Sequence, residues 1–133
     1  MTAILLDTNA YKQYLLGNTD LTDIVADSDI AYLSAVVIGE LYAGFCGGTK
    51  YKENVEKLKY VLDTDNIETL DITPETAEIF GEIKAALKKK GKMIPINDIW
   101  IAAQTIETGS KLVTLDTHFK NIGGIRVLLL SGQ

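Results

Sequence analysis

Short apolar runs of strand character alternate with segments of helical periodicity along the whole chain. Residues 4–6 read as a short buried strand, and a helix follows over about 8–16, ending near Gly17. Residues 19–27 predict a second short helix, and 30–33, β-branched and aromatic, a second strand. Residues 36–46 are helical and stop at Gly47-Gly48. The next helix is amphipathic, with Tyr51, Val55, Leu58 and Leu62 on one stripe. A weak strand at 67–70 precedes Thr73-Pro74-Glu75, a helix start with an N-cap hydroxyl, proline in the first helical position and an acid in the first turn. Phe80, Ile83 and Leu87 mark the buried side of that helix, and Gly91 its end. Asn97 predicts the cap of a further helix running to about Thr108, with Gly109 as its stop, and 111–115 and 126–130 are the last strands. This alternation predicts an α/β fold with a mainly parallel sheet. A length of 133 residues suits a single domain over 1–133. A chain of that size buries roughly 70% of its unfolded surface, enough for a real core.

Composition narrows the classes. The lone cysteine, Cys46, excludes an intramolecular disulfide and fits a reducing compartment. The N-terminus has no basic start, and no apolar run approaches the ~20 residues of a membrane span, so a cytoplasmic protein without a membrane association is expected. The net charge of −5, from 18 acidic against 13 basic residues, does not by itself suggest a nucleic-acid binder. An acidic balance reads either as solubility or as acids gathered around a cation that reverses the local charge.

Open α/β sheets form their sites beyond the carboxyl ends of the strands. Asp7 directly follows Ile4-Leu5-Leu6, and Asp116 directly follows Leu112-Val113-Thr114-Leu115. Each also suits a plain helix or turn cap. Asp98 opens a helix that is apolar nearly all round, through Ile99, Trp100, Ile101, Ala102, Ala103 and Ile106. With Asn97 available as cap, Asp98 is not needed for that role; its plain alternative is a favourable charge near the helix dipole. Glu40 lies outside the apolar arc of Val37, Ile38, Leu41, Tyr42 and Phe45. That position fits a solvated face, yet its helical neighbours Val36, Ala43, Gly44 and Gly47 include no polar residue, and glycine in a helix costs about 1 kcal/mol relative to alanine. Small residues around one acid suggest a chain segment or ligand packed close over it. Four carboxylates could hold magnesium or manganese, which activate water and neutralise charge on a scissile phosphate. No protein base is then strictly required, and His118 is the sole histidine.

The segments LLDTNAY around Asp7, SAVVIGELYAG around Glu40, IPINDIWIAAQ around Asp98 and LVTLDTHF around Asp116 resemble, in this order, the PIN-domain family. The resemblance is closest to the VapC-type toxins of bacterial and archaeal toxin–antitoxin pairs. It implies a three-layer α/β/α fold with a central, mainly parallel sheet, and Mg²⁺- or Mn²⁺-dependent endoribonuclease activity. It also implies an acidic pocket of Asp7, Glu40, Asp98 and Asp116. Asp7 and Asp98 would be the main metal ligands, Asp116 would complete the site or bind a second ion, and Glu40 would hold a metal-bound water or position the nucleophile. Thr8, Asn9 and Thr114 fall where relatives support the metal or its waters. The resemblance further implies a homodimer silenced by a small antitoxin. One departure is His118: some relatives carry an acid there, so a weaker or singly occupied second metal position is implied, and His118 itself reads as a surface or turn residue, the alternative being a metal ligand.

Other features read two ways. Lys88-Lys89-Lys90 and Lys92 could track RNA phosphates or be a solvated helix end. Tyr42, Phe45 and Cys46, near the helix from Tyr51, could border an antitoxin groove or be ordinary helix–helix core. Two other functions are weighed: an aspartyl-phosphate phosphatase with Asp7 as nucleophile, which wants a second acid where Asn9 stands, and a binding module that kept the fold without the chemistry.

Overall fold

A computed structural model describes residues 2–131. Five strands form one sheet: β1 (Ala3–Leu6), β2 (Ile30–Ser34), β3 (Ile67–Leu70), β4 (Lys111–Thr114) and β5 (Arg126–Leu129). Helices α1 (Thr8–Leu15) and α2 (Thr19–Asp27) join β1 to β2, and α3 (Ala35–Cys46) and α4 (Tyr51–Leu62) join β2 to β3. Helices α5 (Pro74–Lys90) and α6 (Ile96–Thr108) lead into β4, and a 3-10 turn (Thr117–Asn121) separates β4 from β5. The strand order is β3-β2-β1-β4-β5, and every pairing is parallel. The α/β expectation therefore holds, with the sheet wholly parallel among the described residues. Parallel neighbours require crossovers, and the right-handed rule puts the helices of β1→β2→β3 on one face and those of β3→β4→β5 on the other. The result is three layers.

Leu5 sits at the centre, paired with Tyr32 on one side and Leu112 on the other. Ile4, Leu5 and Leu6 are buried in succession because helices cover both sheet faces, which is why this strand reads as a continuous apolar run. Strand order reverses between β1 and β4, and this is the crevice where such sheets bind ligands.

Element boundaries match the expectations closely, with two corrections. Helix α6 starts at Ile96, with Pro95 as its N-cap and no side-chain capping bond, so Asn97 does not cap it. Proline supplies the non-helical N-cap geometry itself (φ −55°, ψ 142°), and its carbonyl accepts from the Asp98 and Ile99 amides. Asn97 is thereby carried, exposed, into the first turn. Tyr51 does not join the buried stripe of α4; it is 46% exposed at the helix start, and Leu58 and Val61 make the buried contact. Thr73 caps α5 as expected, in a reciprocal pair with Thr76, and Phe80 stacks on Trp100 at 3.9 Å between ring centroids.

Gly109 ends α6 in the left-handed region (φ 68°), where a side chain is strained, whereas Gly81 lies inside α5 with open space where a methyl group would stand. Opposite effects are expected from one chemical change. Gly109→Ala should lower unfolding free energy by about 1 kcal/mol. Gly81→Ala should raise it by roughly 0.5–1 kcal/mol. Urea denaturation of the two variants measures both signs.

Candidate active site

Asp7 ends β1 and begins α1. Its Oδ1 accepts from the Ala10 amide at 2.9 Å, so it is the helix cap that its position suggests. Its Oδ2 accepts from the Thr114 hydroxyl at 2.5 Å, and that hydroxyl in turn accepts from the Asp116 amide at 3.0 Å. Thr114 thus ties the carboxyl end of β1 to that of β4. Asp116 caps the 3-10 turn, its Oδ1 accepting from the His118 amide at 3.0 Å. For both acids the capping reading holds, and it leaves the site reading open.

Glu40 is held from a distant part of the chain: its Oε1 accepts from Thr8 Oγ1 at 2.5 Å. The segment packed against Glu40 is therefore the start of α1. The small residues beside it are uncovered, since an added methyl at Gly39 or Gly44 would meet open space. Asp98 stands half-buried in the first turn of α6, and among the described residues no hydrogen bond reaches its carboxylate. Asn9, also expected nearby, is exposed on α1. Lys88, Lys89, Lys90 and Lys92 are exposed around the end of α5, with Lys90 donating to the Asn121 carbonyl at 3.1 Å.

The acids repel one another. Burial above all, and then the charges of Asp7, Asp116 and Glu40, push the Asp98 carboxyl up to about 6, offset in part by His118. Asp7 is also raised, chiefly by burial, against the lowering effect of the Thr114 and Ala10 hydrogen bonds. No lysine or arginine contributes to either shift. Burying carboxylates without a partner cation is costly. Carboxylates short of positive charge fit a hard divalent cation such as Mg²⁺ or Mn²⁺.

The side chain of His118 also reaches this cluster. It is in the turn, but its Nε2 lies 2.7 Å from Asp116 Oδ2. Asp98, Asp116 and His118 each present a donor atom within 4.8 Å of the others.

A raised carboxyl stabilises the fold below its unfolded value and loses that contribution as pH rises through its folded value. Metal-free protein should therefore lose stability as pH rises from about 4 through about 6, in part through Asp98. Asp98→Asn should flatten that loss and raise Tm at pH 7 by about 2–5 °C, a modest gain because the group is half-exposed and screened. Thermal melts in EDTA across this range check the sign.

The chain matches the family model described as PIN domain over residues 4–125. It is 29% identical to Ribonuclease VapC2 of Rickettsia felis over 123 residues, covering 89% of this chain and 90% of that protein. It is 38% identical to Ribonuclease VapC2 of Haemophilus influenzae over 82 residues, 62% of this chain and 61% of that one. Its fold is similar to that in the crystal structure of VapBC2 from Rickettsia felis bound to a DNA fragment from their promoter, with a TM-score of 0.88 at 24% identity over 98% of this chain and 100% of that chain. VapBC-1 from nontypeable Haemophilus influenzae gives a TM-score of 0.84 at 23% identity, over 96% and 98% of the two chains.

Proposed function

The chain belongs to the PIN-domain family, and from that premise we propose that it is a divalent-metal-dependent endoribonuclease, the toxin of a type II toxin–antitoxin pair. The observation that carries the reading is the convergence of Asp7, Glu40, Asp98 and Asp116 at the β1/β4 crevice without a lysine or arginine to neutralise them. Bound there, Mg²⁺ or Mn²⁺ would polarise the scissile phosphate and acidify an attacking water. The residues divide the remaining work. Asp7, Asp98 and Asp116 would hold the cation. Thr114 orients the Asp7 carboxylate through its donation to Oδ2. Thr8 holds Glu40 by Oε1 and leaves Oε2 to orient the water and accept its proton. The aspartyl-phosphate alternative is disfavoured by Asn9, which stands where such a site wants its second acid.

A small antitoxin is the proposed partner. A groove between α1, α3 and α4, lined by Leu15, Leu16, Leu41 and Phe45 and flanked by Lys12 and Lys57, offers an apolar floor with basic edges. Leu16 is 79% exposed at its rim. Phe45 lines this groove, Tyr42 packs edge-on to it at 5.8 Å between centroids, and Cys46 is exposed. Among the described residues no helix is long and apolar enough to cross a membrane. A cytoplasmic homodimer completes the proposal.

Asparagine caps a helix about as well as aspartate, so charge can be removed without losing the cap. Asp7→Asn and Asp98→Asn should each reduce RNA cleavage by at least about 100-fold, at or above the usual loss from outer-sphere changes, with circular dichroism unchanged. Thr8→Val should cost roughly 10–100-fold through Glu40. EDTA should abolish cleavage and added Mg²⁺ or Mn²⁺ restore it. Full activity in Asp7→Asn with normal metal dependence would sink the assignment.

A further inference from the structure

His118 lies closer to the acids than a turn residue needs to. Its amide and its imidazole bracket a single carboxylate: the amide donates to Asp116 Oδ1 at 3.0 Å, and Nε2 sits 2.7 Å from Oδ2. This double contact turns the ring inward, toward Asp98. The donor atoms of Asp98, Asp116 and His118 lie within 4.8 Å of one another, so one ion is in reach of all three. The His118 and Asp116 side chains are 42% and 28% exposed, which leaves a path for an ion from solvent. Asp98 contributes a carboxylate with no protein hydrogen bond among the described residues, so coordination there would displace none of the contacts that hold the fold.

We propose that His118 is itself a metal ligand, and that with Asp98 and Asp116 it makes a mixed nitrogen–oxygen position that favours manganese-class ions over magnesium. The chemistry follows from the donor. Mg²⁺ takes oxygen ligands and keeps its waters, whereas imidazole nitrogen suits the first-row transition ions. The site would then be asymmetric: an all-oxygen side anchored on the buried Asp7 and a nitrogen-bearing side at the solvent edge. This inference rests on the metal-dependent reading above.

The chain has one histidine, so in untagged protein any imidazole signal belongs to His118. The test is Mn²⁺ binding by calorimetry together with pulsed electron paramagnetic resonance of the Mn²⁺-loaded protein. The expected result is nitrogen modulation from a directly bound imidazole, absent in His118→Ala. That variant should weaken Mn²⁺ about tenfold while changing Mg²⁺ affinity less than twofold. His118→Asp should recover affinity while losing the preference for Mn²⁺ over Mg²⁺. Mn²⁺ bound without nitrogen modulation, or an unchanged ion preference in His118→Ala, overturns the role of His118 and leaves the four-acid reading standing. No Mn²⁺ or Mg²⁺ binding at all overturns both.

Discussion

The Thr114 hydroxyl joins the two strands on which the acidic site depends. A hydroxyl has one proton to give and lone pairs to receive. Here the proton goes to Asp7 and a lone pair takes the Asp116 amide. The carboxyl ends of β1 and β4 are thereby set at a fixed spacing, inside a layer where Thr114 is fully buried. The sheet brings these ends side by side, through Leu6 paired with Val113; the hydroxyl determines how the acids that follow are turned. Replacing it with a methyl would leave Asp7 with less compensation for its burial and free the β4 end from its partner.

Much of this was legible along the chain. Consecutive apolar residues in 4–6 mark a strand covered on both faces, and helices between such strands leave few arrangements other than a parallel sheet. Asp7 and Asp116 could be found because a site at strand ends is a property of the fold class. Contacts between distant segments were less legible. Glu40 stood out because its neighbours are small, but the reason it is held in place is Thr8, thirty-two positions earlier, and no local pattern encodes that hydrogen bond. Asn97 resembled a cap, yet Pro95 set the helix start first through its own backbone geometry. His118 lies in the turn as expected, and its contact with Asp116 is a matter of side-chain orientation that no sequence pattern states.

The electrostatics resolve the acidic composition. Surplus negative charge is a poor recommendation for a protein that handles RNA, and a net −5 would repel a polyanion at long range. A divalent ion held in the crevice, as proposed, would reverse the local sign and make those charges useful. The raised Asp98 and Asp7 carboxyls record how much unfavourable charge the fold carries before that happens.

Asp7 and Asp116 each hold up a piece of architecture as well as a corner of the crevice. Asparagine would keep the cap at either position, though at position 7 its amide nitrogen could not accept the Thr114 proton. A lineage drifting away from chemistry could therefore pass through Asn at either position without unfolding, and such a descendant would keep the same strands, helices and turn. Aspartate at both positions in this chain adds a negative charge that the caps alone do not require. Fold and charge thus draw on the same two residues for different reasons.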